Sequence, residues 1–136
     1  MALKSAVLDS SAMLAYLRRE PGEQIVAALL EDFETACYAH VMNLTEVYYI
    51  TSRDFNKAKA LEAIGMLERD GVIFRSDMGV DFWQEVGDMK ASGRIALPDC
   101  FCLTLAQRLG AECVTTDRNE FAPMVGVVSC PILFIR

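Results

Sequence analysis

The chain has 136 residues, enough for one compact domain and too few for two, so a single domain over 1–136 is expected. Apolar residues make up 53% of it, which excludes intrinsic disorder, and a formal net charge of −6 excludes a domain that holds nucleic acid by bulk attraction alone. No apolar run approaches the roughly 20 residues of a membrane helix. With Lys4 and Asp9 so near the amino terminus there is also no secretory-signal pattern, and a soluble cytoplasmic protein is expected.

Ser5–Asp9 reads as a first strand ending on an acid. Ser10 or Ser11 then caps a helix carrying Met13, Leu14 and Leu17 on one side. Pro21-Gly22 breaks that helix, and a second one, Glu23–Phe33, places Ile25, Ala28, Leu29 and Phe33 at helical spacing. A short strand is expected at Ala36–Ala39. Val41–Ser52 follows the helical period through Val41, Leu44, Val47 and Tyr48 despite its β-branched residues. Asn56–Asp70 is amphipathic, with Ala60, Leu61, Ile64 and Leu67 facing inward, and Gly71 ends it. Val72–Arg75 is a strand and Val80–Ala91 a helix. Pro98 suits the first turn of the next helix, which runs to Gly110. Cys113–Thr116 and Pro131–Ile135 complete the strands. Strands alternating with helices need crossover connections, so the expected fold is an α/β/α three-layer sandwich around a mainly parallel sheet.

Five cysteines, Cys37, Cys100, Cys102, Cys113 and Cys130, lack zinc-ligand spacing, and His40 is the single histidine. Reduced, mostly buried thiols are expected. The acids are more informative. In open α/β sheets, ligands bind at the carboxyl ends of strands near the switch in strand order. Asp9 and Asp117 each follow a strand, Asp99 opens a helix, and Glu46 lies on the polar flank of its helix beside Asn43. Such a carboxylate cluster suits a hard divalent cation and metal-assisted phosphoryl chemistry. Taken singly, each acid has an ordinary explanation: Asp9 and Asp117 as caps, Glu46 as a solvated helix residue, and Asp99 as a first-turn acid whose ionised form the helix dipole favours. The combination carries the argument.

Four stretches carry a family resemblance: Val7-Leu-Asp-Ser-Ser-Ala-Met-Leu14, Asn43-Leu-Thr-Glu-Val47, Leu97-Pro-Asp-Cys-Phe101 with Leu105-Ala106, and Val114-Thr-Thr-Asp-Arg-Asn-Glu-Phe121. In order and spacing they resemble the PIN-domain family, and within it the VapC-like toxins of toxin–antitoxin pairs. The resemblance implies an endoribonuclease in which Asp9, Glu46, Asp99 and Asp117 bind Mg2+ or Mn2+. Thr115 occupies the family's hydroxyl position and helps orient the site. It further implies cleavage of single-stranded RNA by metal-activated water, leaving a 5′-phosphate and a 3′-hydroxyl. The implied partners are a second copy of the chain, as a homodimer, and a cognate antitoxin that inserts a peptide into the acidic groove. Ser10 and Ser11 stand where the family often has Thr or Asn, and Glu120 is expected near the site but not as a ligand.

Arg18, Arg19, Lys90, Arg94 and Arg118 are candidate phosphate contacts, with Lys90 and Arg94 foremost, although a surface charge is the simpler reading for most. Tyr48 and Tyr49 are candidates for base stacking, with a core or dimer-face role favoured for Tyr48. Met13, Tyr16 and Tyr49 are candidates for the dimer face. A haloacid-dehalogenase phosphatase needs a second Asp two residues after Asp9, where this chain has Ser11. A response-regulator receiver needs paired acids at the end of its first strand, where only Asp9 stands. A non-catalytic PIN-like binding module and a housekeeping RNA-processing nuclease are the remaining alternatives.

Overall fold

A computed structural model describes residues 3–136, so the first two residues of the amino-terminal stretch lie outside it. The elements are β1 (Lys4–Leu8), α1 (Ser10–Arg18), α2 (Glu23–Glu31), β2 (Thr35–His40), α3 (Val41–Asp54) and α4 (Lys57–Arg69). They continue with β3 (Val72–Arg75), α5 (Val80–Ser92), α6 (Leu97–Leu109), β4 (Glu112–Thr115), α7 (Arg118–Phe121), a 3-10 turn (Ala122–Met124) and β5 (Ile132–Phe134). The five strands form one parallel sheet in the order β3-β2-β1-β4-β5. The chain winds outward from β1 to β3, crosses back through α5 and α6, and continues from β4 to β5. The switch in strand order therefore falls between β1 and β4.

Alternation along the strands builds a core on each face of the sheet. Ala6, Leu8, Cys37, Ala39, Val72 and Val114 point to the side covered by α1 to α4, where Met13, Val26, Val47 and Leu67 are buried. Val7 and Cys113 point to the side of α5 and α6, against Val86, Leu103, Leu105 and Ala106. α6 is buried along Cys100–Ala106 and lies against β1, β2 and β4. The three-layer α/β/α sandwich expected from the sequence is the observed fold, and its sheet is parallel throughout.

Several local expectations change. α1 stops at Arg18, before Pro21, with Arg19 in the left-handed region (φ 53°). α2 ends at Glu31, and Phe33, placed by the spacing on its inner face, lies beyond the helix and is 93% exposed. The buried residue of α2 is Val26, with Leu29 and Leu30 beside it, so the inward stripe is rotated from the one read through Ile25 and Ala28. α4 packs chiefly against α3, and also on β3, burying Ala60 and Leu67 with Ile64 beside them, and Leu61 is left 56% exposed. Val41 opens α3 on the exposed side. Met13 is wholly buried in the core, so it belongs to no dimer face.

All five cysteines are free and buried, and the Cys102 and Cys113 thiols meet at 3.1 Å beneath the centre of the sheet. His40 caps α3, its Nδ1 accepting from the Met42 N–H, and its Nε2 lies 2.8 Å from the Asp77 carbonyl. The ring stacks on Phe82 and meets Phe101 at a tilt, and burial holds it below the usual imidazole range.

Candidate active site

The carboxyl ends of β1 and β4 lie side by side at the switch point, and each delivers an acid. Asp9 follows Leu8 directly and is 1% exposed. It is itself the N-cap of α1, a place the sequence offered to Ser10 or Ser11: Oδ1 accepts from the Ala12 N–H at 2.8 Å and from the Ser11 hydroxyl at 2.7 Å. Oδ2 accepts from Thr115 Oγ1 at 2.6 Å. Thr115 Oγ1 in turn accepts from the Asp117 N–H at 3.0 Å, and Ser11 Oγ accepts from the Thr116 N–H at 3.0 Å. Two hydroxyls thus stitch the end of β1 to the loop after β4. Asp117 caps α7 through the Glu120 N–H at 3.0 Å. The ordinary capping explanation is therefore true of both Asp9 and Asp117, and it anchors their carboxylates at the switch point rather than removing them from it.

The other two acids arrive on helices. α3 begins immediately after β2, so its first turns rise beside the carboxyl end of the sheet and bring Asn43 and Glu46 on one flank. Asn43 Nδ2 donates to the Pro98 carbonyl at 3.1 Å and lies 3.5 Å from Glu46 Oε1. Asp99 stands in the first turn of α6, with Pro98 just before it, as the sequence requires.

The acids act on one another electrostatically. Burial pushes the Asp99 carboxyl up to about 8, and the charges of Asp9, Glu46, Glu120 and Asp117 add to the effect. Burial and these charges outweigh the helix dipole, which alone favours ionisation of Asp99. Asp9 is raised to about 6 by burial, against the pull of its bonds from Thr115, Ala12 and Ser11, with Glu46 raising it further. Thr115 links Asp9 to Asp117, Asn43 links Glu46 to the turn that carries Asp99, and the charges of the other three acids bear on Asp99, so the four share one neighbourhood. Glu120 joins them, its Oε2 accepting from the Ala96 N–H at 3.1 Å.

Ser11, Asn43 and Glu120 have more direct parts here than the sequence assigned them. The signal for Asn43 was its position one turn before Glu46 on the same helix flank. Ser11 gave only a cap pattern. The basic candidates are largely committed elsewhere. Lys90 Nζ donates to the Ile95 carbonyl, Arg18 pairs with Asp54, and Arg118 donates to the Arg136 carbonyl and lies over the Phe134 ring. Arg19 and Arg94 are exposed and enter no ion pair among the described residues. Tyr49 is half exposed with Arg53 over its ring, and Tyr16 donates to Asp70 at 2.6 Å. A cavity of about 460 Å3 between α1, α3 and α4, lined by Leu14, Leu17, Phe55 and Met66 among others, includes none of the four acids.

The donor chemistry fits a hard divalent cation. Every candidate ligand is a carboxylate, and no Lys or Arg among the described residues pairs with Asp9, Glu46, Asp99, Asp117 or Glu120. The negative charge is thus left without a protein counter-charge. Among the described residues no three acidic, imidazole or thiol side chains form a ready-made ligand cage. Magnesium suits that arrangement, since it keeps several waters and binds through one or two carboxylates rather than a closed protein cage.

The fold and this acidic cleft meet in one family. The PIN-domain model matches residues 6–124, and the chain belongs to the PIN-domain family. Solved structures with the same fold include the DNA-bound VapBC of Salmonella typhimurium (TM-score 0.74, 14% identity, 98% of this chain and 100% of that one). VapBC2 of Rickettsia felis, bound to a promoter DNA fragment, is similar at TM-score 0.70 and 15% identity, covering 96% of this chain and 98% of that one. VapC20 of Mycobacterium tuberculosis, a toxin that cleaves the sarcin–ricin loop, is similar at TM-score 0.70 and 12% identity, covering 87% of this chain and 94% of that one. Comparison with curated protein sequences gives no significant match.

Proposed function

We propose that this PIN-domain chain is a Mg2+- or Mn2+-dependent endoribonuclease and the toxin of a toxin–antitoxin pair. The observation that carries the reading is the gathering of Asp9, Glu46, Asp99 and Asp117 at the switch point, where no Lys or Arg among the described residues pairs with them. Asp9, held by three donors in one orientation, is the fixed ligand of the site, and Glu46, Asp99 and Asp117 are the ligands beside it. Thr115 orients Asp9 and holds the Asp117 backbone. When bound, the ion supplies positive charge that acidifies a water and offsets charge on the departing oxygen of the phosphodiester. Arg94 and Arg19, exposed and outside the ion pairs of the described residues, are the candidates for contacts to the RNA backbone.

The toxin role is supported by the VapBC assemblies among the solved structures of like fold. It brings a cognate antitoxin as partner, and with it a homodimer acting on cytoplasmic RNA. No described helix is long and apolar enough to cross a membrane.

The test is RNA cleavage with Mg2+ by the wild type and Asp9→Asn, beside growth on expression of the wild type and Glu46→Gln. Loss of a ligand that stabilises the transition state by several kcal/mol lowers the rate about 10²–10³-fold. The reading expects cleavage lost to that extent in Asp9→Asn, and growth arrest that Glu46→Gln relieves. Equal cleavage by wild type and Asp9→Asn contradicts it, and silence of both favours a binding module.

A further inference from the structure

The first turn of α6 is the least self-sufficient part of the site. Its N-cap, Ala96, offers no side chain to the helix, and Pro98 supplies no N–H. Asp99 on that turn lies within reach of the charges of Asp9, Glu46, Glu120 and Asp117. Something outside α6 must hold the turn in place.

Two side chains do so, from opposite flanks. Glu120 Oε2 on α7 accepts from the Ala96 N–H at 3.1 Å, and Asn43 Nδ2 on α3 donates to the Pro98 carbonyl at 3.1 Å. Each residue also reaches another acid of the site. The Glu120 N–H donates to Asp117 Oδ1, while Asn43 lies one turn before Glu46 with its Nδ2 3.5 Å from Oε1. Asn43 is wholly buried, yet its Oδ1 has no partner. An unpaired buried amide oxygen lowers stability, so packing alone favours an apolar residue of that size. The bond to Pro98 is what the amide accomplishes there. The Glu120 carboxylate is likewise engaged with backbone at the positive end of α6.

We infer that Asn43 and Glu120 are positioning residues that clamp the first turn of α6 from its two flanks and fix Asp99 relative to Glu46 and Asp117. The functional consequence rests on the metal-dependent reading above, but the clamp itself does not. Glu120 on this account is a latch rather than a ligand, and its hydrogen-bond acceptor matters more than its charge.

The variants Asn43→Leu, Glu120→Ala and Glu120→Gln test it through three readouts: amide hydrogen exchange without metal, calorimetric titration with Mn2+, and the split of RNA cleavage between kcat and KM. The amides to follow are those of Asp99 and Cys100, both bonded to the Ala96 carbonyl. Asn43→Leu and Glu120→Ala should exchange faster at both amides. Each should bind Mn2+ about 10-fold more weakly, as loss of a residue supporting a metal ligand does, and lose kcat with little change in KM. Glu120→Gln should restore exchange and Mn2+ affinity, and Asn43→Leu should keep the wild-type Tm or exceed it. Unchanged exchange in Asn43→Leu and Glu120→Ala overturns the clamp. So does failure of Glu120→Gln to rescue, which would make the charge the operative property, and so for Asn43 does a fall in Tm that matches its loss of Mn2+. A wild type that neither binds Mn2+ nor cuts RNA defeats the nuclease reading instead, and amide exchange still decides the clamp.

Discussion

Asp99 concentrates the electrostatic tension of the molecule. Its folded-state pKa of about 8 lies far above the ordinary 3.8, so the folded chain binds this proton more tightly than the unfolded chain does. The stability it contributes is complete below about pH 4 and is lost as pH rises through about 8. Asp9 acts in the same direction through about pH 6, where the lowered His40 opposes it, since a buried neutral imidazole favours higher pH. Between about pH 7 and 8.5 the effect of Asp99 stands clear of both, and the buried cysteines, all raised by burial, add to it in the same direction toward the upper end. Metal-free protein should therefore lose Tm across that interval, Asp99→Asn should flatten the loss, and Mg2+ should raise Tm more at pH 8.5 than at pH 7. Thermal melts of the two proteins, with and without Mg2+, measure all three; a wild-type Tm that rises with pH contradicts the account.

The Thr115 hydroxyl makes a second prediction at this scale. Its bond lowers the Asp9 pKa and its oxygen receives the Asp117 N–H, so Thr115→Val removes both supports with little change of shape. Cleavage should fall about 10–100-fold, as when a partner of a metal ligand is lost. Carbon-13 titration of the carboxyls should show Asp9 protonating at higher pH than in the wild type.

Among the glycine positions, the entry to α2 is the tightest. Gly22 caps that helix at φ 101°, and a Cβ there would stand 2.8 Å from Ile135 Cγ1 and 2.9 Å from the Ile135 carbonyl oxygen. Gly22→Ala combines a left-handed backbone with a backbone clash, so it should destabilise by about 1–3 kcal/mol. Chemical denaturation reads this directly, and a variant as stable as the wild type would show that the β5 end yields freely. The sequence announced this position only as a breaker, Pro21-Gly22. Its close approach to Ile135, more than a hundred residues away, is a tertiary fact that no local pattern carries.

Other elements divide along the same line. Pro98 in the first turn of α6, Gly71 after α4 and Gly110 after α6 act through local backbone geometry, and each stands where the sequence placed it. Phe33 and Leu61 depend on what covers a helix, and periodicity could not show that α2 turns Val26 inward or that α4 packs chiefly against α3. The site shows the same split. Asp9, Asp99 and Asp117 were visible because strand ends and a helix start place them. The Ser11, Asn43 and Glu120 bonds were not, because they link segments far apart in the chain and depend on side-chain direction.

At the scale of the whole molecule, strand order and charge combine. The order β3-β2-β1-β4-β5 sets the ends of β1 and β4 together, while α3 and α6 bring their first turns to the same edge of the sheet. A chain of net charge −6 thus collects acids in a cleft where no Lys or Arg among the described residues pairs with them. Stability and function oppose each other there, since any neutralising substitution relieves repulsion while removing a ligand. The most direct test is a crystal soaked in Mn2+ and measured for anomalous scattering. The account predicts a peak in the cleft bounded by Asp9, Glu46, Asp99 and Asp117, absent from Asp99→Asn crystals. A cleft without manganese, or a peak bound only by surface carboxylates elsewhere, would contradict it.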